Sequence, residues 1–160
     1  MQVPHSTPLQ PITGIPHIKD AYIVIVKTEW NSHITNALEQ DCIVTLQANG
    51  IQHIYQYTVP GAFELSFAIN SIVKTATHNI HAVIAFGCVI KGDTPHFEYV
   101  CHSVTHGITE LNLKLNVPTI YGVLTVLNEQ QAQDRINGTV GYKGAEAAVT
   151  AIKMLPYVAL

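Results

Sequence analysis

From Tyr22 onward, two spacings of apolar residues alternate along the chain. Short runs rich in β-branched and aromatic residues occupy 22–26, 51–59, 82–90 and 118–126, and they read as strands. The first, third and fourth are almost continuously hydrophobic, as expected of strands covered on both faces. Longer segments with helical spacing lie between them. Residues 32–49 place Ile34, Leu38, Cys42 and Leu46 at four-residue steps and end on Gly50, a natural helix stop. Residues 63–76 repeat the pattern through Phe67, Ile69, Ile72 and Val73. Residues 95–115 carry it through Val100, Val104, Ile108, Leu111 and Leu115, and open on Thr94-Pro95, a cap followed by a first-turn proline. Two further helices are predicted over 128–136 and 144–155.

Strands alternating with helices of this length imply βαβ crossovers. The expected fold is α/β, a doubly wound, mostly parallel sheet of four strands flanked by helices. Residues 1–20 stand apart: Pro4, Pro8, Pro11 and Pro16 leave neither helix nor central strand, so this stretch reads as an extended arm, disordered or laid along a neighbour. Residues 21–160 form the single folded domain of this reading.

Composition narrows the function classes. Eight basic against eleven acidic side chains, a net charge of −3, lack the dense cationic footprint of a nucleic-acid-binding surface. No apolar run is long enough to span a membrane, and the Met-Gln-Val-Pro-His start has neither the charge nor the apolar stretch of a secretory signal. Three cysteines without close pairing suggest no disulfide framework, so a reducing cytoplasm is the expected setting. Only 12% of residues are charged. A domain so poor in charge cannot readily cover itself with solvated surface, which predicts a homo-oligomer.

In doubly wound sheets, ligands bind beyond the carboxyl ends of the strands. The loop Gly87-Cys-Val-Ile-Lys-Gly-Asp-Thr-Pro-His-Phe-Glu98 is the most informative stretch there. It nearly matches a nucleotide P-loop, but Asp93 stands where the phosphate-binding lysine belongs, which rejects a polyphosphate ligand. A helix amino terminus preceded by Gly92 and Thr94 remains suited to one modest anion. His96 in the first helical turn is either a surface histidine or a proton donor and acceptor. The turn Val59-Pro-Gly-Ala-Phe-Glu64 is either an ordinary strand-to-helix turn with Glu64 complementing the helix dipole, or an edge where main-chain donors and Glu64 hold a planar polar ring. Trp30 is a core residue by general preference, or a stacking platform by its place in a loop. Tyr121, inside a strand, reads as core by propensity. Arg135 is the chain's one arginine; its fork suits phosphate, but a lone surface arginine is the common case and the residues alone do not select it. His102 and His106 share a helix face at metal-binding spacing, but no third ligand arrives, and no metal site is predicted.

Taken together, the segments Val59–Glu64, Gly87–Glu98, Tyr121-Gly-Val-Leu-Thr125 and Arg135 to Lys143-Gly144 resemble the lumazine synthase family across residues 22–155. The resemblance implies a flavodoxin-like three-layer sandwich and a cofactor-independent condensation of 5-amino-6-(D-ribitylamino)uracil with 3,4-dihydroxy-2-butanone 4-phosphate. It implies Trp30, Ala62, Phe63, Glu64, main-chain groups of Cys88, Val89 and Ile90, Tyr121 and Lys143 for the pyrimidine substrate. Asp93, Thr94 and Arg135 would hold the phosphate, with His96 as the acid/base. Asp93 departs in charge, so phosphate contact there is expected through main-chain N–H groups. The resemblance further implies a homopentamer, or a sixty-subunit shell of such rings, with sites between subunits and Tyr121 and Arg135 supplied by the neighbour. It admits riboflavin synthase as a partner. A flavin carrier on the same fold would need neither His96 nor Arg135, and a purely structural shell protein would leave the polar loop clusters unexplained.

Overall fold

The computed structural model describes residues 12–15 and 18–158. Its sheet is wholly parallel: β1 (Tyr22–Thr28), β2 (His53–Val59), β3 (Ala82–Ile90) and β4 (Thr119–Val126) lie in the order β2-β1-β3-β4. The helices α1 (Ser32–Ala48), α2 (Ala62–Thr75), α3 (His96–Lys114), α4 (Glu129–Gln133) and α5 (Lys143–Met154) alternate with the strands as the periodicity predicts. Strand alternation divides the core in two. Ile23, Ile25, Ile84 and Phe86 pack with Leu38 and Leu46 of α1 and Ala148 and Ile152 of α5. Val24, Val26, Val83 and Ala85 pack on the opposite face with Leu65 and Ile69 of α2 and Val104 and Ile108 of α3. Both faces are therefore covered, which accounts for the continuous hydrophobicity of β1 and β3.

Gly50 ends α1 as expected. Its φ is +92°, and its N–H donates to the Gln47 carbonyl while that of Ile51 donates to Leu46, satisfying carbonyls the last turn would leave unpaired. Two helix readings are corrected. Phe67 is 79% exposed, because only Leu65 and Ile69 of α2 reach the core fully. The predicted helix over 128–136 is regular only through Gln133 and continues as turns to Ile136. Pro95 rather than Thr94 occupies the cap position of α3, and the Thr94 hydroxyl accepts a long 3.4 Å bond from the His96 N–H.

The arm reading of residues 1–20 falls largely on residues outside those described. Where the chain is described, Ile12 and Ile15 pack on the core of their own subunit, and residues 18–20 form a 3₁₀ turn rather than extended chain.

Candidate active site

The sheet opens where β1 and β3 part. Their pairing ends at Lys27 with Phe86, whereas β3 stays paired with β4 as far as Ile90 and Val126. The β1-facing edge of residues 88–90 is thus free of ladder partners at the point where strand order reverses. Asn31 takes one group there, its Nδ2 donating to the Cys88 carbonyl at 2.8 Å. Asn31 itself sits in the left-handed region, φ 57°, at the start of α1. The sequence reading missed this residue, although asparagine is among the side chains that tolerate that conformation. Burial, and then the charge of Glu129, push the Cys88 thiol up to about 12, so it stays protonated at neutral pH.

The loops after β1, β2 and β3 converge beside this edge. The N–H groups of Glu29 and Trp30 donate to the carbonyls of Val59 and Pro60, fixing the first two loops together. Gly61 begins α2 in extended conformation, and a Cβ there would meet Glu64 Oε2 at 3.1 Å and Trp30 Cδ1 at 3.5 Å. Glu64 and Trp30 therefore flank one glycine. Phe63 lies 6.0 Å from the His96 ring, centroid to centroid. Trp30 is 73% exposed and Phe63 48%, which removes the core reading of the tryptophan. Ala62 is half-buried, while Asp93 and Thr94 in the loop after β3 and His96 in the first turn of α3 are exposed. A Cβ at Gly92 would meet nothing within 4 Å, so packing inside the chain does not require glycine there. Val89 and Ile90 are half-buried at the end of β3. Lys91 is 3.2 Å from Glu98, whose carboxyl is held below its usual range by its own backbone N–H and by that lysine.

A second group gathers along β4. Tyr121 is 41% exposed, not core, and its hydroxyl is 3.0 Å from that of Thr105 on α3. Burial pushes its phenol up, against the Thr105 hydrogen bond. Tyr121 and Lys143 line one groove of about 550 Å³ along this edge strand. The Lys143 ammonium is 2.7 Å from Glu146, a partner the sequence reading did not name. The Lys143 N–H donates to the Arg135 carbonyl at 3.0 Å, so the turn between them closes with both residues held together. Arg135 spends one donor on the Gln131 carbonyl at 2.7 Å and is half-buried.

Two rulers separate Tyr121 from His96 and Trp30 within one chain. Thr105 lies nine residues beyond His96 on α3, about 13 Å along the axis. Tyr121 is level with Ala85 and Val26, four residues below Trp30, about 13 Å along the strand direction. Among the described residues, no cluster of three or more histidine, cysteine or acidic side chains forms a metal-binding group, and His102 and His106 remain two exposed side chains. No described helix is long and apolar enough to cross a membrane.

The family model of 6,7-dimethyl-8-ribityllumazine synthase matches residues 20–158, all the elements just described. The chain belongs to the lumazine synthase family. It is 48% identical over 136 residues to the 6,7-dimethyl-8-ribityllumazine synthase of Bacteroides fragilis, covering 84% of this chain and 94% of that protein. It is 49% identical over 143 residues to the synthase of that name from Porphyromonas gingivalis, covering 88% of each. The match with the synthase of Phocaeicola vulgatus reaches 45% identity over 146 residues, 90% of this chain and 86% of that one. The chain is accordingly a lumazine synthase-type transferase of riboflavin biosynthesis, on the α/β fold its sequence predicts.

Proposed function

We propose that the synthase reaction runs between two copies of this chain. One copy supplies Trp30, Ala62, Phe63, Glu64, the free β3 edge at residues 88–90, the Asp93–Thr94 loop and His96. The other supplies Tyr121, Lys143 and Arg135. The distance of Tyr121 from His96 along the helix and from Trp30 along the strand direction, about 13 Å in each case, is the observation that carries this reading. A ring stacked on Trp30 is out of reach of Tyr121 in the same subunit, while exposed aromatic side chains in both groups await cover.

In this arrangement 5-amino-6-(D-ribitylamino)uracil lies on Trp30 with its polar edge along the main chain of residues 88–90 and Glu64. The phosphate of 3,4-dihydroxy-2-butanone 4-phosphate lies at the open start of α3, opposite the neighbour's guanidinium. His96 takes and returns protons during imine formation, phosphate loss and ring closure. Both substrates are intrinsically reactive, so holding them together supplies most of the acceleration, and the imidazole adds acid–base assistance. Neither a metal nor an organic cofactor enters this scheme. The setting is the cytoplasm, the assembly a homopentamer or a shell of such rings, and riboflavin synthase the enzyme next in line as a partner.

The test is complementation. His96→Ala and Arg135→Ala subunits, unfolded together and reassembled as mixed rings, regain at a fraction of interfaces a site with both groups intact. Product fluorescence at low phosphorylated substrate should then exceed that of either variant reassembled alone. Mixed rings no better than the average of the two place both groups in one subunit and overturn the reading.

A further inference from the structure

Helix α4 has five residues, too few to hold its shape in water unaided, yet the chain relies on it to deliver Arg135. Its lower side is anchored by Ala132, fully buried in the core. Its start is tied by the Asn128 side chain, which accepts from the Gln131 N–H at 2.9 Å, and by Gln131 Oε1, which accepts from the Leu127 N–H at 2.9 Å.

A further tie reaches α4 from another element. His33, in the first turn of α1, places Nε2 2.6 Å from Glu129 Oε1, joining residues 96 apart in sequence. The same oxygen accepts from Gln133 Nε2 at 3.1 Å. The His33 hydrogen bond and then that of Gln133 hold the Glu129 carboxyl below its usual range. The carboxylate is also close enough to the carboxyl end of β3 to help raise the Cys88 thiol. On the other side, His33 follows Trp30 and Asn31, and Asn31 ties this end of α1 to the Cys88 carbonyl. The pair thus bridges the ring-stacking loop and the helix that leads into Arg135.

We infer that His33 and Glu129 are positioning residues that set the reach of Arg135 and so tune affinity for the phosphorylated substrate. The inference rests on the reading of Arg135 as a phosphate ligand. Both side chains of the pair are about half exposed, 56% and 50%, so their contribution to the stability of the whole fold is small. A short helix with few fixings is another matter. There a weak tie changes how much of the time the guanidinium is in place, and the effect falls on binding of one substrate rather than on folding.

Steady-state kinetics of His33→Ala, Glu129→Gln, His33→Arg and Arg135→Ala test this in the assembled enzyme, each substrate varied with the other saturating. His33→Ala and Glu129→Gln should each raise KM for the phosphorylated substrate about threefold, the size expected of a half-exposed side-chain hydrogen bond. Turnover and KM for the pyrimidine should stay within error. His33→Arg keeps a hydrogen-bond donor toward Glu129 and should restore KM, and the His33→Ala/Glu129→Gln double variant should be no worse than either single one. An unchanged KM in the pair variants, with Arg135→Ala still raising it, overturns the inference alone. An unchanged KM in Arg135→Ala overturns the phosphate reading beneath it. Loss of turnover and of both affinities together with thermal stability assigns the pair a merely structural role, and also overturns it.

Discussion

At His96 the imidazole stands on the exposed first turn of α3, 6.0 Å from the Phe63 ring and clear of the folded core. The exposed imidazole is no part of the buried core, so His96→Ala should read the chemistry rather than the stability of the fold. Acid–base assistance is worth about a hundredfold or more where a reaction needs it throughout. On the proposed scheme positioning supplies most of the acceleration, and the substitution leaves it in place. The expected result is a drop in turnover of about one to two orders of magnitude with activity still measurable and both KM values little changed. Abolished turnover with intact substrate binding would assign the imidazole a larger share. What was legible from sequence is its place, exposed in the first turn of the helix that follows β3 and a polar loop. Trp30 and Tyr121 were not settled by residue type, since aromatic side chains serve cores and stacking surfaces alike. Exposure settles both, and the register puts Tyr121 level with Ala85 rather than with the loops.

The elements themselves followed from spacing, because an apolar residue every second or every three to four positions is what burial on one sheet or helix face requires. Close approaches between elements did not. A Cβ at Gly144 would meet the Leu38 carbonyl oxygen at 2.1 Å, and one at Gly107 the Ser66 hydroxyl at 2.1 Å, so α5 and α3 approach their neighbours only through glycine. Nothing in the local pattern marks these contacts. The start of β1 hides another. The Tyr22 N–H donates to His81 Nδ1 at 2.9 Å, and His53 stacks on the Tyr22 ring with centroids 4.3 Å apart. Burial lowers the His81 pKa below its ordinary 6.5, so the folded chain resists taking up a proton that the unfolded chain accepts. The stabilisation is therefore complete above pH 6.5 and declines as pH falls below it, at up to about 1.4 kcal/mol per pH unit until the folded-state pKa is reached. His81→Asn keeps an acceptor near the Tyr22 N–H without the titration. Thermal melts of the variant should lose less stability between pH 6.5 and 5 than those of the native chain, and equal slopes would remove His81 from the acid limb.

At the scale of the whole molecule, exposed rings and sparse charge form one argument. Phe67 is 79% exposed, Tyr99 70% and Trp30 73%, on the same side of the sheet's carboxyl end or on the α2–α3 layer beside it. Water contact with so much aromatic surface is costly at about 25 cal/mol per Å², and a neighbouring subunit is the simplest cover. If the neighbour also completes the site, assembly and activity must fail together. Phe67→Glu discriminates, since the side chain does little inside its own subunit but would leave an unpaired carboxylate in an interface. Sedimentation of this variant should show a smaller species with an unchanged far-ultraviolet spectrum. Product fluorescence should fall by far more than any loss of folded protein, and raising protein concentration should restore it in step with reassembly. An active variant that remains monomeric would mean that one chain suffices, and the separation between the His96 and Tyr121 groups would then have to close by a rearrangement that α3, with Val104 and Ile108 locked in the core, does not allow.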